Sequence, residues 1–166
     1  MIKIHLMEND RIEFQFISEP SDINFGGKVH GGAVMKWIDQ TAYSCASNWA
    51  KHYCVTVYVG GIRFYKAIQI GAIVRIKAQI IYTGRTSMHI AVDVYSKDVL
   101  EDDFSKTTHC IIVFVAVDTS GNPIEIPKWR PQTTTEQRLM EYAIKLMQLR
   151  SDIDKEMTPF LHESST

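Results

Sequence analysis

The sequence has few of the features that mark a membrane, secreted or nucleic-acid-binding protein. Its longest unbroken apolar run, Cys110 to Val117, has the length of a strand and is far too short to span a bilayer. The formal net charge is only −1, from 18 basic and 19 acidic residues, so no overall field attracts nucleic acid or an acidic membrane. No apolar signal-peptide core follows Met1, and we therefore expect a cytoplasmic location.

Cysteine is scarce, and the common nucleophile and metal patterns are missing. The three cysteines, Cys45, Cys54 and Cys110, have neither disulfide nor zinc spacing, which predicts reduced and mostly buried thiols. There is no Gly-x-Ser-x-Gly motif and no cysteine with an obvious histidine partner, which disfavours hydrolysis by a serine or cysteine nucleophile. No constellation of metal ligands and no basic surface interleaved with aromatic residues is present either, so neither a metal nor a nucleic-acid partner is expected.

What remains suits one soluble domain with a helical tail. The chain has 166 residues, of which 45% are hydrophobic, enough for a single core. Turn-forming residues from Asp118 to Pro123 close the domain, which we expect to span residues 1–125. In the tail, residues 126–166, Thr133 and Glu136 form a possible capping box. Behind it an amphipathic helix is predicted to about residue 157, with the apolar positions Leu139, Tyr142, Leu146, Leu149, Ile153 and Met157.

Hydrophobic periodicity predicts an α+β fold. Residues 11–18 alternate as a half-buried strand, and residues 32–51 then have helical spacing in a segment apolar enough to be largely enclosed. Four extended segments follow, at about residues 53–64, 72–82, 87–94 and 107–117, with a bulge expected at Gly60-Gly61. Short links imply antiparallel pairing. One apolar helix after the first strand must be wrapped by the whole sheet, which predicts a hotdog fold: about five antiparallel strands around one long helix, plus the C-terminal helix.

Glycine is concentrated ahead of the predicted helix. Four of the nine glycines, Gly26, Gly27, Gly31 and Gly32, lie close together, and such clusters mark unusual dihedral angles or a close approach to the backbone. With Asn24 they form Asn-x-x-Gly-x-x-x-Gly-Gly, followed two helical turns later by an acidic residue, Asp39.

This pattern resembles the acyl-CoA hydrolase family of hotdog thioesterases, the cytosolic long-chain and broad-range enzymes. Asn24, Gly27, Gly31 and Gly32 match at every spacing and Asp39 matches the acid, within a similarity that runs from about residue 10 to residue 118. The resemblance implies hydrolysis of acyl-CoA to a free acid, with coenzyme A as part of the substrate rather than a cofactor. It also implies a homodimer or a hexamer of three dimers, with Asn24 of one chain facing Asp39 of its partner.

The residues suit thioester hydrolysis. A carboxylate in a mostly apolar helix, Asp39, can act as the general base that activates water. The backbone N–H groups of Gly31 and Gly32, at the positive end of that helix, can bind the thioester oxygen, and the Asn24 amide can orient the water or the carbonyl. The alternatives are structural: Asp39 lies three residues after Lys36 and suits an exposed ion pair, Asn24 is typical of a turn or cap, and the glycines suit a tight loop.

A second candidate site lies between two predicted strands, in the turn from Thr83 to Ser87. Its guanidinium and hydroxyls suit a phosphate or pyrophosphate. By the resemblance we assign coenzyme A binding to Gly84, Arg85, Thr86 and Ser87, with charge added by Arg63 and Lys66. A plain hairpin turn with a solvated arginine is the alternative.

His30 supports a rival interpretation. It precedes Gly31 and Gly32, and it would be catalytic with Asp39 in a hotdog hydratase or dehydratase. Related thioesterases also have a histidine at this position, which favours a role for His30 in shaping the loop and the substrate site. A non-catalytic acyl-CoA-binding module is the third possibility. The family's Phe-x-x-Pro and Gly-Asp positions hold Ala67 and Ala72 here, which leaves the acyl-chain length open.

Overall fold

Strands and one enclosed helix form the first part of the chain, and a second long helix forms the rest. The computed structural model describes residues 3–161, with side chains from residue 9 onward. In order, the elements are β1 (Lys3–Glu8), β2 (Arg11–Ile17), a 3-10 turn (Pro20–Asp22), α1 (Gly31–Ala50), β3 (Cys54–Phe64), β4 (Ile73–Thr83), β5 (Ser87–Lys97), β6 (Ser105–Ala116) and α2 (Thr134–Leu161). The chain divides into two units after Trp129.

The sheet confirms the predicted hotdog fold. Its described strands are all antiparallel and follow the order β1-β2-β4-β5-β6-β3. One strand more than expected is present, because β1 pairs with β2 through a tight turn at Asn9 and Asp10. Only Ile4 and Leu6 alternate with polar residues in β1, a pattern too short to predict a strand by itself.

The core lies between α1 and the concave face of the sheet. α1 contacts β2, β3, β4, β5 and β6. Its buried face consists of Val34, Ile38, Thr41, Ala42, Cys45, Ala46 and Ala50. The opposite side stays open, with Met35 45% exposed and Lys36 and Gln40 exposed beside it. No residue from Thr41 to Ala50 is exposed, so the expected enclosure is found in the second half of the helix, whereas the first half is open on one side.

β3 forms one edge of the sheet and is irregular. It pairs with β6 alone among the described strands, and its register shifts between Thr56 and Tyr58 and again between Gly60 and Arg63, which confirms the predicted bulge. Glycine at position 60 makes room for the Tyr58 ring, because a Cβ there would lie 2.3 Å from that ring and would force it to move. Val57 and Val59 are 46% and 40% exposed. An edge strand with open backbone groups and exposed valines is suited to pairing with another chain.

The three cysteines are free and buried, as predicted. Burial raises the pKa of Cys45 to about 12, with a further rise from the Asp10 charge. Burial likewise raises the pKa of Cys110 to about 12 and moves the pKa of Cys54 upward. A thiol that keeps its proton is a poor nucleophile, so none of the three is suited to covalent catalysis.

The second unit contains α2. The predicted capping box is confirmed: Glu136 N donates to Thr133 Oγ1 at 3.1 Å, and Thr133 N donates to Glu136 Oε2 at 3.2 Å. The described part of the helix reaches Leu161, a few residues beyond the predicted end, and residues 151–161 are all exposed.

Candidate active site

A hydrogen bond between α1 and β3 holds the candidate base. Thr56 Oγ1 donates to Asp39 Oδ1 at 2.6 Å. Asp39 is half-buried, and within the described part of the chain it makes no ion pair with Lys36, so the structural alternative for this carboxylate is not found. Because one carboxylate oxygen accepts the hydroxyl, Oδ2 stays available to bind a water and take its proton.

Thr56 was not predicted from the sequence. It lies in β3 beside the first register shift, on the open edge of the sheet. In the run from Tyr53 to Val59 it is the only residue with an aliphatic hydroxyl, and that was the available signal. The partner on α1 lies 17 positions away, and no local pattern connects the two residues.

His30 caps α1 and changes the expected oxyanion site. The ring nitrogen Nδ1 of His30 accepts the backbone N–H of Gly32 at 2.9 Å. The backbone N–H of His30 donates to the Asp22 carbonyl at 2.7 Å. Gly31 N–H donates to no atom of the described residues. The sequence predicted two free backbone donors here. The structure leaves one, at Gly31, because the cap occupies the donor of Gly32.

The two glycines at the start of α1 differ in what surrounds them. A Cβ at Gly32 would lie 3.1 Å from His30 Nδ1, so a side chain there would press on the cap. A Cβ at Gly31 would come no closer than 3.8 Å to the Phe64 ring, which is ordinary contact. Packing within one chain therefore does not explain glycine at position 31, whereas a molecule that approaches this backbone from outside would.

Asn24 shapes the loop and keeps one polar group free. Its Oδ1 accepts the N–H groups of Gly26 at 2.8 Å and Lys28 at 3.1 Å, and Gly27 closes the loop at φ +77°. Because both partners are donors, the engaged atom is the oxygen and the outward atom is Nδ2. The turn interpretation is thus correct for the Asn24 carbonyl, and the free Nδ2–H group can donate but not accept.

One chain does not bring the predicted catalytic residues together. Asp39 follows Gly31 by eight residues of α1, which places them about 12 Å apart along the helix axis. Asn24 lies on a loop before that helix and contacts neither of them within the described hydrogen bonds. A thioester carbonyl and its attacking water cannot reach the base and the free Gly31 donor of the same chain at once.

The second candidate site is the turn between β4 and β5. Gly84 N donates to the Ser87 carbonyl at 2.9 Å, and a Cβ at Gly84 would lie 2.7 Å from Ser87 Oγ, so a larger residue there would make the Ser87 hydroxyl rotate away. Arg85 is exposed and pairs with Glu125 at 3.2 Å, and the Thr86 carbonyl accepts the Ala116 N–H. The guanidinium is therefore paired and solvated at once, and because the pair is exposed it is weak.

Arg63 does not join that turn within one chain. It pairs across the sheet with His109, which pairs with Asp93, whereas the turn ends at Ser87. Ser87 and Asp93 are six residues apart on β5, or about 20 Å along the strand. The predicted grouping of Arg63 and Lys66 with Arg85 is therefore wrong for a single chain, and Lys66 instead donates to Ser105 Oγ at 3.3 Å.

Neither a metal site nor a membrane span is found in the described part of the chain. Among the side chains of residues 9–161, no group of three or more His, Cys, Asp or Glu is placed to hold a metal ion. No helix in the same range is long and apolar enough to cross a membrane.

Comparison with known proteins gives the family. Residues 26–101 match the model of the thioesterase superfamily. The Helicobacter pylori protein VdlD is 30% identical over 148 residues, which cover 89% of this chain and 84% of that protein. An uncharacterized acyl-CoA thioester hydrolase of Buchnera aphidicola is 36% identical over 110 residues, covering 64% of this chain and 82% of that protein.

A solved structure gives the same result. An apo-hexameric acyl-CoA thioesterase superposes with a TM-score of 0.82 at 32% identity, covering 86% of this chain and 91% of that one. These similarities agree with the Asn, Gly and Asp pattern and with the sheet order. The chain therefore belongs to the thioesterase superfamily, as a hotdog-fold member of its acyl-CoA hydrolases.

Proposed function

We propose that this enzyme hydrolyses acyl-CoA thioesters to a free carboxylic acid and coenzyme A in the cytoplasm, without a further cofactor. The observation that carries the proposal is the Asp39 carboxylate, held by Thr56 at 2.6 Å on the open face of α1. Family membership supports the reaction class. We assign the role of nucleophile to a water activated by Asp39; burial raises the pKa of all three thiols, which disfavours a cysteine in that role.

The site is proposed to form between two chains. The 12 Å between Gly31 and Asp39 follows from about 1.5 Å of helix rise per residue, and a second copy with its helix antiparallel would bring its Gly31 beside Asp39. The unpaired edge of β3, with Val57 and Val59 exposed, supplies the surface for such a dimer. A two-fold dimer then holds two equivalent sites. Three dimers would give the hexamer found in the similar thioesterase.

Water, Asp39 and the thioester together account for every proton moved and every bond formed or broken in the proposed reaction. Oδ2 of Asp39 takes a proton from water while the water oxygen attacks the thioester carbonyl carbon. Negative charge collects on the carbonyl oxygen, where Gly31 N–H and Asn24 Nδ2–H of the other chain donate hydrogen bonds. The tetrahedral intermediate then expels the coenzyme A sulfur, which receives the proton from Asp39. The products are a carboxylic acid and the free thiol.

The coenzyme A moiety is assigned to the β4–β5 turn. A phosphate offers Arg85 a bidentate partner with more charge than Glu125 carries, so it can displace that exposed pair. The hydroxyls of Thr86 and Ser87 lie in the same turn and can donate to the same anion. Arg63 lies near the C-terminal end of β3, far from this turn. It could contact coenzyme A only if the substrate reached it from the partner chain.

Release of thiol from acyl-CoA esters of increasing chain length tests this function. We expect the wild type to release thiol and Asp39→Ala to lose roughly 10²–10⁴-fold in kcat, the usual contribution of a general base. His30→Asn retains a cap oxygen for Gly32 N–H and should keep activity. Full activity in Asp39→Ala would overturn the mechanism. Hydration of an enoyl-CoA that needs His30 would indicate a hydratase, and binding without any turnover a non-catalytic module.

A further inference from the structure

The C-terminal half of α2 carries an apolar face that nothing covers in the described residues. Leu149 is 58% exposed, Ile153 49% and Phe160 88%, with Met157 between the last two. An exposed and continuous apolar stripe of this kind on a helix marks an interaction surface. Asp152 borders the stripe, and Glu156 interrupts it.

The stripe continues a heptad repeat that begins near the start of the helix. The positions Leu139, Tyr142, Leu146, Leu149 and Ile153 are separated alternately by three and four residues, which is the spacing of a coiled-coil seam. Leu149 and Ile153, the last two of these positions, are exposed. This spacing therefore favours another helix, rather than a flat surface, as the partner that packs against the stripe.

We propose that the occupant is α2 of a second copy of this chain, packed antiparallel and centred between Leu146 and Leu149. In this register Leu146 faces Leu149 of the partner subunit, and Tyr142 faces Ile153 of the partner subunit. By two-fold symmetry each layer occurs twice, so the central contact has four apolar layers.

Charge selects the antiparallel direction. Beside the seam, Lys145 of one helix falls opposite Asp152 of the partner subunit, and this opposite-charge pair also occurs twice. A parallel pair would instead set Lys145 against Arg150 of the partner subunit and would stack the two Glu156 side chains in the seam. In the described residues Asp152 pairs with Lys155 of its own helix at 3.0 Å, and its side chain is 71% exposed, so its carboxylate can accept a second cation.

A disulfide test reads direction and register in the full-length chain. Two differently tagged chains, one carrying Lys145→Cys and the other Asp152→Cys, are co-expressed, purified through both tags and mildly oxidised. The native cysteines are buried and do not compete. We expect the mixed disulfide to form at least about tenfold faster than in a matched pair carrying Lys145→Cys and Arg150→Cys, because reactive thiols must be adjacent.

Two substitutions with the same added charge supply the control. Ile153→Glu places a carboxylate in the seam and should abolish the mixed disulfide, whereas Ser151→Glu, on the opposite side of the helix, should leave its rate unchanged. Thiol release from an acyl-CoA serves as the check of folding, since both positions are exposed. Faster crosslinking of the Lys145→Cys and Arg150→Cys pair, no crosslink above background in either pair, or equal rates in the two control variants would each overturn the proposal.

Discussion

The Thr56 hydroxyl donates a 2.6 Å hydrogen bond to Asp39 Oδ1, which ties the open face of α1 to the unpaired edge of the sheet. The bond engages one carboxylate oxygen and leaves Oδ2 without a hydrogen-bond partner among the described residues. A second chain would cover both the strand edge and the open helix face. The base therefore lies at the proposed interface between the two chains of the dimer.

Replacing Thr56 by Val removes this hydroxyl with little change in shape. We expect kcat for acyl-CoA hydrolysis to fall by about 10- to 100-fold, because the carboxylate loses the donor that orients it. KM should change little, since Thr56 is not part of the proposed coenzyme A site. Thr56→Ser keeps the donor and should keep most of the activity; an active valine variant beside a slow serine variant would show that the methyl group, not the hydroxyl, matters.

Gly31→Ala separates substrate access from folding. The nearest atom to the new Cβ is 3.8 Å away, so the variant should fold and even gain up to about 1 kcal/mol of stability from the helix preference of alanine. Turnover should fall by at least about tenfold, because the methyl group blocks the approach to a free N–H. Thermal unfolding and thiol release measured on the same sample test both parts.

Gly32→Ala is the matched control at the neighbouring position. There the Cβ would lie 3.1 Å from His30 Nδ1, which forces the capping ring to move. We expect a loss of stability of the size of a weakened cap, about 0.5–2 kcal/mol. If both alanine variants kept full turnover, the glycines would be needed only for the turn.

Substitutions of Arg85 and Glu125 should change KM for acyl-CoA in opposite directions. Arg85→Ala removes the guanidinium and should raise KM for acyl-CoA by about tenfold, with kcat nearly constant, as expected for an interaction that is equal in ground and transition states. Glu125→Gln removes the competing carboxylate at 3.2 Å and should lower KM. Steady-state kinetics at low and high salt measures both; an Arg85→Ala enzyme with unchanged KM at low salt would move the coenzyme A site elsewhere.

Asp93 links strands β5 and β6 and should make stability depend on pH. Burial alone would raise the pKa of Asp93, but hydrogen bonds from His109 at 2.7 Å and Lys106 at 2.9 Å, with the Lys106 charge, hold that pKa below its usual value. A lowered pKa in the folded state means that the stabilisation is present above the unfolded pKa, about 3.9, and is lost as pH falls through the folded value.

The test for Asp93 is urea unfolding of the wild type and Asp93→Asn across pH. At pH 7 the variant should be less stable by about 1–3 kcal/mol, the contribution of hydrogen bonds to a charged group. The difference should shrink below about pH 4, where the unfolded carboxyl is already protonated. A difference that stays constant from pH 7 to pH 3 would assign it to packing rather than to charge.

Much of the fold could be predicted because it depends on local pattern. Alternation gave β2 and the later strands, helical spacing gave α1, and Thr133 with Glu136 gave the cap of α2. The short strand β1 escaped because two alternating apolar residues do not distinguish a strand from a loop.

The details of the site depended on contacts that no local pattern contains. Asp39 is joined to Thr56 across 17 positions, and the Gly32 donor is occupied because the His30 ring turns toward it. Similarly, the Asn24 side chain could be placed in the loop from its residue type, but only the two donors at Gly26 and Lys28 determine which of its atoms stays free. Each of these depends on where a side chain points once the sheet has wrapped the helix.

Complementation between two inactive chains tests the shared active site most directly. Asn24→Ala and Asp39→Ala should each be nearly inactive alone, because every site in their homodimers lacks one group. Unfolded together and refolded in equal amounts, they should recover about a quarter of wild-type thiol release, since half of the dimers are then mixed and each mixed dimer holds one intact site. No recovery, in mixtures shown by their tags to contain mixed dimers, would contradict a site built from Asn24 of one chain and Asp39 of the other.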